Sequence, residues 1–105
     1  MTKVLVLLTK KDALSRDEFR RYWRDVHGPI GERMPGVRRY VQNHVVVDGA
    51  PYDGIAELWF DSPADMQTAF TSEAAQEAAR DVPNFLASQH VVIVEEIEMA
   101  PASSR

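Results

Sequence analysis

"VRRYVQNHVVVDGAPYDGIAELWF", residues 37–60, is the stretch on which the fold turns. Residues 37–47 are rich in β-branched side chains and read as a strand, and residues 55–60 read as a second. Between them "DGAPYDG" (48–54) is dense in turn formers and joins the two as a hairpin.

Outward from the hairpin the chain alternates. On the N-terminal side, "KVLVLL" (3–8) is another strand. Its apolar residues do not alternate with polar ones, so both of its faces should be covered. Ser15 then opens an S-x-x-E capping box with Glu18, which starts a helix. Phe19, Tyr22, Trp23, Val26, His27 and Ile30 follow at helical spacing. The helix is expected to reach about Arg33, with a kink near Pro29. On the C-terminal side, Ser62 reads as an N-cap with Pro63 at the first helical position. A short helix to about Phe70 follows, then a second helical stretch over 72–82, closed by Pro83. "HVVIVEEIE" (90–98) is the last strand.

The order is β-α-β-β-α-β. Two right-handed crossovers around a hairpin give a four-stranded antiparallel sheet with helices on one face, the ferredoxin-like α+β arrangement. Helices on one face leave the other uncovered, yet the first and last strands are apolar on both. A second copy of the sheet is the simplest cover, so a homodimer is expected. Residues 1–100 are expected to form one domain and 101–105 a flexible tail.

Composition narrows the function. A chain of 105 residues can bury one core without much surplus. The formal net charge of −4 argues against nucleic-acid binding, which needs a basic surface. There is no cysteine, hence no thiolate chemistry. The apolar run at 4–8 is too short for a membrane span, so the expected setting is cytoplasmic, with no membrane partner. The three histidines show no metal-ligand spacing, and no phosphate-binding glycine loop is present. Neither a metal nor a nucleotide cofactor is expected.

The histidine on the first helix carries the chemical interest. His27 shares a face with Trp23, extended by Phe19 and Ile30, so it faces apolar surroundings. It reads either as a core histidine satisfied by one backbone hydrogen bond or as an acid–base group. Gly28 and Pro29 follow it at once, at a cost to a helix interior of about 1 and ~3 kcal/mol. A bend plus a missing side chain beside an imidazole makes a pocket wall. An ordinary imidazole, with a pKa of about 6.5, takes or gives a proton near neutrality. Tyr22 and Tyr40 supply hydroxyls that can polarise a substrate, and Phe19, Trp23 and Phe85 suit a flat apolar ligand. Tyr40, Gln42 and His44 share one strand face, and which way that face points is open. Glu57 reads as either a pocket carboxylate or an edge or interface salt bridge, and His90 as a strand-end residue.

"LSRDEFRRYWRDVHGPIGERMPGVRRY" resembles the signature of the EthD family, within the dimeric α+β barrel superfamily. The matching elements are F-x-x-Y-W, the His-Gly-Pro that follows, and the Pro-Gly-x-x-x-Tyr leading into the next strand. "YDGIAELWFDS" resembles the family's second half. The resemblance implies two ferredoxin-like subunits packed sheet to sheet, each with a pocket between sheet and helices. It implies action on small cyclic or aromatic compounds, often without cofactor. In one branch, which isomerises methyl-substituted muconolactones, a histidine matching His27 and a tyrosine matching Tyr40 sit in the pocket. That branch has a further histidine in the loop after the second strand, and "DGAPYDG" has none.

The leading expectation is therefore a cofactor-free lyase or isomerase. His27 and Tyr40 would be catalytic, and Phe19, Tyr22, Trp23, Gly28, Ile30, His44 and Phe85 would bind the substrate. The alternatives are a cofactor-independent monooxygenase on a phenol and a non-catalytic ligand-binding or stress-response module.

Overall fold

The structure, a computed structural model, describes residues 1–101. The tail expected over 101–105 lies, beyond Pro101, outside the described residues. The elements are β1 (Thr2–Lys10), α1 (Arg16–Tyr22), a π-helical turn (Trp23–His27), α2 (Gly28–Glu32), β2 (Arg39–His44), β3 (Gly54–Phe60), α3 (Pro63–Phe70), α4 (Glu73–Asp81), a 3-10 turn (Val82–Asn84) and β4 (Leu86–Val94). The strands form one antiparallel sheet in the order β2-β3-β1-β4. This is the ferredoxin-like arrangement that the element order implies.

The helix starts are where the capping residues put them. The Ser15 hydroxyl accepts from the Glu18 amide and the Glu18 carboxylate accepts from the Ser15 amide, which completes the capping box. Ser62 caps α3, with Pro63 in its first turn. Strand boundaries differ more. β2 is shorter than its β-branched run, and β4 begins four residues before His90. Leu86–Gln89 have little β character of their own, but they pair with Lys10, Thr9 and Leu8 of β1. Tertiary pairing outweighs propensity there.

Alternation sorts the sheet into two faces. Val4 and Leu8 of β1 and Ala56, Leu58 and Phe60 of β3 turn toward the helices. They pack there with Phe19, Trp23, Met34, Ala69, Phe85 and Leu86 as the buried core. The other face carries Lys3, Leu5 and Leu7 beside Ile55, Glu57 and Trp59, cross-strand partners in register. β4 is an edge strand whose Val91, Val92 and Ile93 are exposed, so no helix covers it. The double-sided apolar pattern of β1 and β4 is thus real, and on β4 it meets solvent.

A charged cluster marks the outer face. The buried Lys3 ammonium lies 2.9 Å from Glu57 and 2.7 Å from Glu96, and 4.5 Å from the centre of the Trp59 ring. Glu57 therefore belongs to a salt bridge outside the helix-covered core. Its carboxyl is held below the ordinary range mainly by the Lys3 hydrogen bond, and Glu96 is held down in the same way. Burial alone would lower the Lys3 pKa, but the two carboxylates outweigh it and raise it.

The signs give a pH dependence. A carboxyl with a depressed folded pKa contributes stability that is complete above its unfolded value, about 4.3 for glutamate, and lost as pH falls through the folded value. The share of a raised lysine is present below about 10.4 and lost only as pH climbs through its folded value. The melting temperature is expected to fall below about pH 4.3, and Lys3→Met should make that fall shallower. Equal acid slopes in the two proteins would place the sensitivity elsewhere.

Candidate functional site

The turn around His27 is not a proline kink. Helical structure runs from Arg16 to Glu32, but between Trp23 and His27 it widens to a π-turn, in which the Gly28 amide reaches the Trp23 carbonyl. In a regular α-turn the Pro29 ring would press on the carbonyl of Asp25; the wider turn relieves that contact. Pro29 then stands in the first turn of α2, where a missing N–H costs little. The extra residue also rotates the helix beyond it. Val26, placed by its spacing on the apolar face, is 44% exposed, while Ile30, Gly31 and Met34 are buried.

Gly28 is buried but does not open space for a ligand. A Cβ built there would lie 2.8 Å from Gln42 Nε2 and 3.0 Å from the Trp23 carbonyl oxygen. The gap beside the histidine is filled by Gln42, whose amide donates to that same carbonyl at 3.0 Å and to the Tyr40 hydroxyl at 3.3 Å. Gly28 is thus a packing residue and does not border the cavity. Gly28→Val is expected to displace the Gln42 amide and cost about 1–3 kcal/mol, the range for overpacking. Gln42→Ala in the same chain should recover part of that loss in a denaturant titration. No recovery would mean that the two side chains do not compete for this space.

The helix-facing side of β2 is the one carrying Tyr40, Gln42 and His44. Tyr40 packs against Gly31, where a Cβ would come within 3.1 Å of its ring. Burial pushes its phenol up, so the hydroxyl stays protonated. His44 lies with its ring centre 4.6 Å from that of Trp23 and donates from Nε2 to Gln42 Oε1 at 2.9 Å. Burial first, then Arg20 and Arg24, lower the pKa of His44 and favour its neutral form. The chain His44–Gln42–Tyr40 is thus directional. Tyr40 accepts from Gln42 and keeps its own proton to give elsewhere.

A cavity of about 230 Å³ lies between sheet and helices. Trp23, His27, Gly31 and Tyr40 border it, with Met34, Leu58 and Val82. Ala75, Ala78 and Ala79 form its α4 wall. Their spacing puts three methyl groups on one helix face, where larger side chains would fill the space. In the sequence that face shows only as small residues at helical spacing, a pattern common to any solvated or packed helix.

Of the residues expected at the site, Trp23, His27 and Tyr40 meet at this cavity. Phe19 and Phe85 do not border it. Both are fully buried in the core, stacked with ring centres 5.9 Å apart. Ile30 is buried and does not border the cavity, and His44 stands behind Trp23. Tyr22 packs on Phe85 and hydrogen-bonds to Asp81 at 2.5 Å. His90 lies on the outer face, 6.3 Å from the Tyr52 ring. Among the described residues, no three histidine, aspartate or glutamate side chains gather as a metal site.

The residue that the sequence did not flag is Asp81, at the end of α4. Its Oδ2 lies 2.8 Å from His27 Nδ1, and its Oδ1 accepts from Tyr22 and, at 3.0 Å, from Asn84. Burial alone would raise its pKa, but these three donors hold it below the ordinary range. The His27 ring also packs on Phe85, centre to centre 4.6 Å. An imidazole with one nitrogen tied back and the other edge toward an apolar cavity can exchange a proton with a bound molecule.

The comparisons with known proteins agree with this architecture. A sequence model of the EthD domain matches residues 11–89. An uncharacterized 11.0 kDa protein of Rhodococcus erythropolis, from the thcB–thcC intergenic region, is 34% identical over 70 residues, covering 64% of this chain and 68% of that protein. The crystal structure of an EthD family protein from Bacillus halodurans superposes with a TM-score of 0.80 at 19% identity, over 92% of this chain and 99% of that one. A protein of unknown function from Bacteroides fragilis, described as dimeric with a ferredoxin-like fold, gives a TM-score of 0.72 at 14% identity, over 90% and 95%. With its domain matched over most of its length, the chain belongs to the EthD family.

Proposed function

We propose that this protein is a small homodimeric acid–base enzyme, a lyase or isomerase, which moves a proton on an uncharged cyclic or aromatic compound without a cofactor. The observation that carries the reading is the His27 imidazole at the edge of an apolar cavity, with Nδ1 engaged by Asp81. In the reaction, His27 removes a proton from a carbon beside a carbonyl. The charge that develops on the oxygen takes a hydrogen bond from the Tyr40 hydroxyl. Returning the proton to a different carbon completes an isomerisation, and expelling a β-substituent instead completes an elimination. Among the described residues, no lysine, arginine, aspartate or glutamate borders the cavity, so a charged substituent there would lack a counter-ion other than His27 itself. That favours ketones, lactones and phenols over carboxylates.

The test is turnover of a panel of such compounds, followed by NMR with oxygen uptake recorded alongside. A rearranged or eliminated product without oxygen consumption is expected. Consumption of oxygen would move the assignment to a monooxygenase, and binding without turnover to a carrier.

The dimer rests on the sheet face away from the helices, where Leu5, Leu7, Val41, Ile55 and Val92 stand without a helix over them. Solved relatives of this fold are described as dimeric. Sedimentation at micromolar concentration is expected to give twice the chain mass of 11.9 kDa. A stable monomer would refute the sheet-to-sheet arrangement.

A further inference from the structure

We propose that Asp81 is a positioning residue. Its carboxylate takes the Nδ1 proton of His27 and so fixes the tautomer in which Nε2, on the cavity side, carries the lone pair. The inference rests on the acid–base reading of His27 for its catalytic meaning, but not for its test.

The geometry supplies three arguments. First, the Asp81 carboxylate collects three donors, from Tyr22 and Asn84 on Oδ1 and from His27 on Oδ2 at 2.8 Å. An ionised carboxylate only accepts, so a neutral His27 hydrogen-bonded to it must place its proton on Nδ1. Second, the clamp is nearly dry. The side chains of His27 and Asp81 are 14% and 11% exposed, so water competes poorly for either group. Third, the ring has little freedom to flip. Phe85 packs on it with centres 4.6 Å apart, while Tyr22 and Asn84 hold the carboxylate from the other side. No hydrogen-bond partner for Nε2 is found among the described residues, which leaves that nitrogen to a bound molecule.

The placement of Asp81 is itself unfavourable by local rules. It ends α4, where the helix macrodipole favours cations over anions. The clamp across 54 residues to His27 gives that carboxylate its partners. A purely structural staple between α4 and the π-turn needs the same Nδ1 proton, so the two roles part in activity: Asp81→Asn would lower only the melting temperature of a staple, whereas for a positioning residue it also lowers turnover per folded molecule.

The experiment is two-bond ¹H–¹⁵N correlation NMR of the histidine rings in the intact protein at about pH 8.5, where imidazole is neutral. His27 is assigned by its disappearance in His27→Gln. In the parent, Nδ1 is expected to carry the proton and Nε2 the unprotonated-nitrogen signature. In Asp81→Asn, whose amide can present a donor to Nδ1, His27 should shift toward the Nε2–H form, while Asn84→Ala, which keeps the carboxylate, should leave the tautomer as in the parent. A parent spectrum with the proton on Nε2 of the assigned His27 overturns the proposal, whatever Asp81→Asn does. So does an Asp81→Asn protein, folded by circular dichroism, whose His27 tautomer is unchanged. A correct tautomer in a protein that turns over none of the panel compounds supports the role of Asp81 and counts against the enzymatic reading alone.

Discussion

Replacing His27 with alanine is expected to lower turnover by roughly 10²–10⁴-fold, the usual share of general acid–base catalysis. At tenfold per 1.36 kcal/mol of barrier, that is about 3–5 kcal/mol. The fold should survive. The imidazole borders a cavity, so its removal enlarges an existing space rather than opening a new hole in the core. The cost to the fold is the loss of one of the three donors on Asp81, of the order of 1–3 kcal/mol. Activity and melting temperature measured on the same preparation separate the two effects. A variant that melts earlier but keeps its activity per folded molecule would make His27 a core histidine. Tyr40→Phe is expected to be milder. The hydroxyl stabilises charge rather than carrying the proton, and its partner Gln42 also bonds the Trp23 carbonyl.

The largest effect on stability is expected at Trp23. The side chain is 1% exposed and packs between Phe19, with ring centres 5.6 Å apart, and His44, at 4.6 Å. Its six-membered ring lies over Gly54, so close that a Cβ there would come within 2.5 Å of it. The indole is thus the piece on which β2, β3 and the π-turn converge. Trp23→Ala is expected to cost about 3–5 kcal/mol, the range for deleting a buried large aromatic. Against a total of about 5–15 kcal/mol for a domain, that leaves a marginal protein. Gly54→Ala pushes on the same ring from the other side and should also destabilise, by about 1–3 kcal/mol. Denaturant midpoints with unchanged slopes would show both losses. A Trp23→Ala protein within 1 kcal/mol of the parent would mean that the surrounding core collapses to fill the hole.

The order of elements was legible because local rules and tertiary structure agree. Ser15 with Glu18, and Ser62 with Pro63, mark helix starts that long-range packing has no reason to move. The start of β4 was not legible, because Leu86–Gln89 are strand only through their pairing with β1. The orientation of β2 was also hidden. Both of its faces mix polar and apolar residues, and what turns Tyr40, Gln42 and His44 inward is the Trp23 carbonyl, which accepts from Gln42 as well as from the Gly28 amide, and the bare Gly28 and Gly31 opposite them.

At the site, His-Gly-Pro correctly marked an irregular turn but not its kind. The glycine serves Gln42 and not a ligand. Asp81 looked like any surface aspartate in "EAARDVPN", and its partner lies 54 residues away. One signal was available in the sequence. An acidic residue in the last turn of a helix opposes the macrodipole and calls for a partner elsewhere.

The central claim is that His27 exchanges a proton with a carbon acid bound in the cavity. The most direct measurement is α-proton exchange of a series of uncharged cyclic ketones in D₂O, followed by NMR, with binding established independently by a ligand-induced rise in melting temperature. For at least one ketone that binds, the parent is expected to exchange protons well above the rate of free imidazole at the same concentration, and His27→Ala to fall back to the buffer rate. Ketones that bind and raise the melting temperature, yet exchange no faster with the parent than with His27→Ala, would contradict the account.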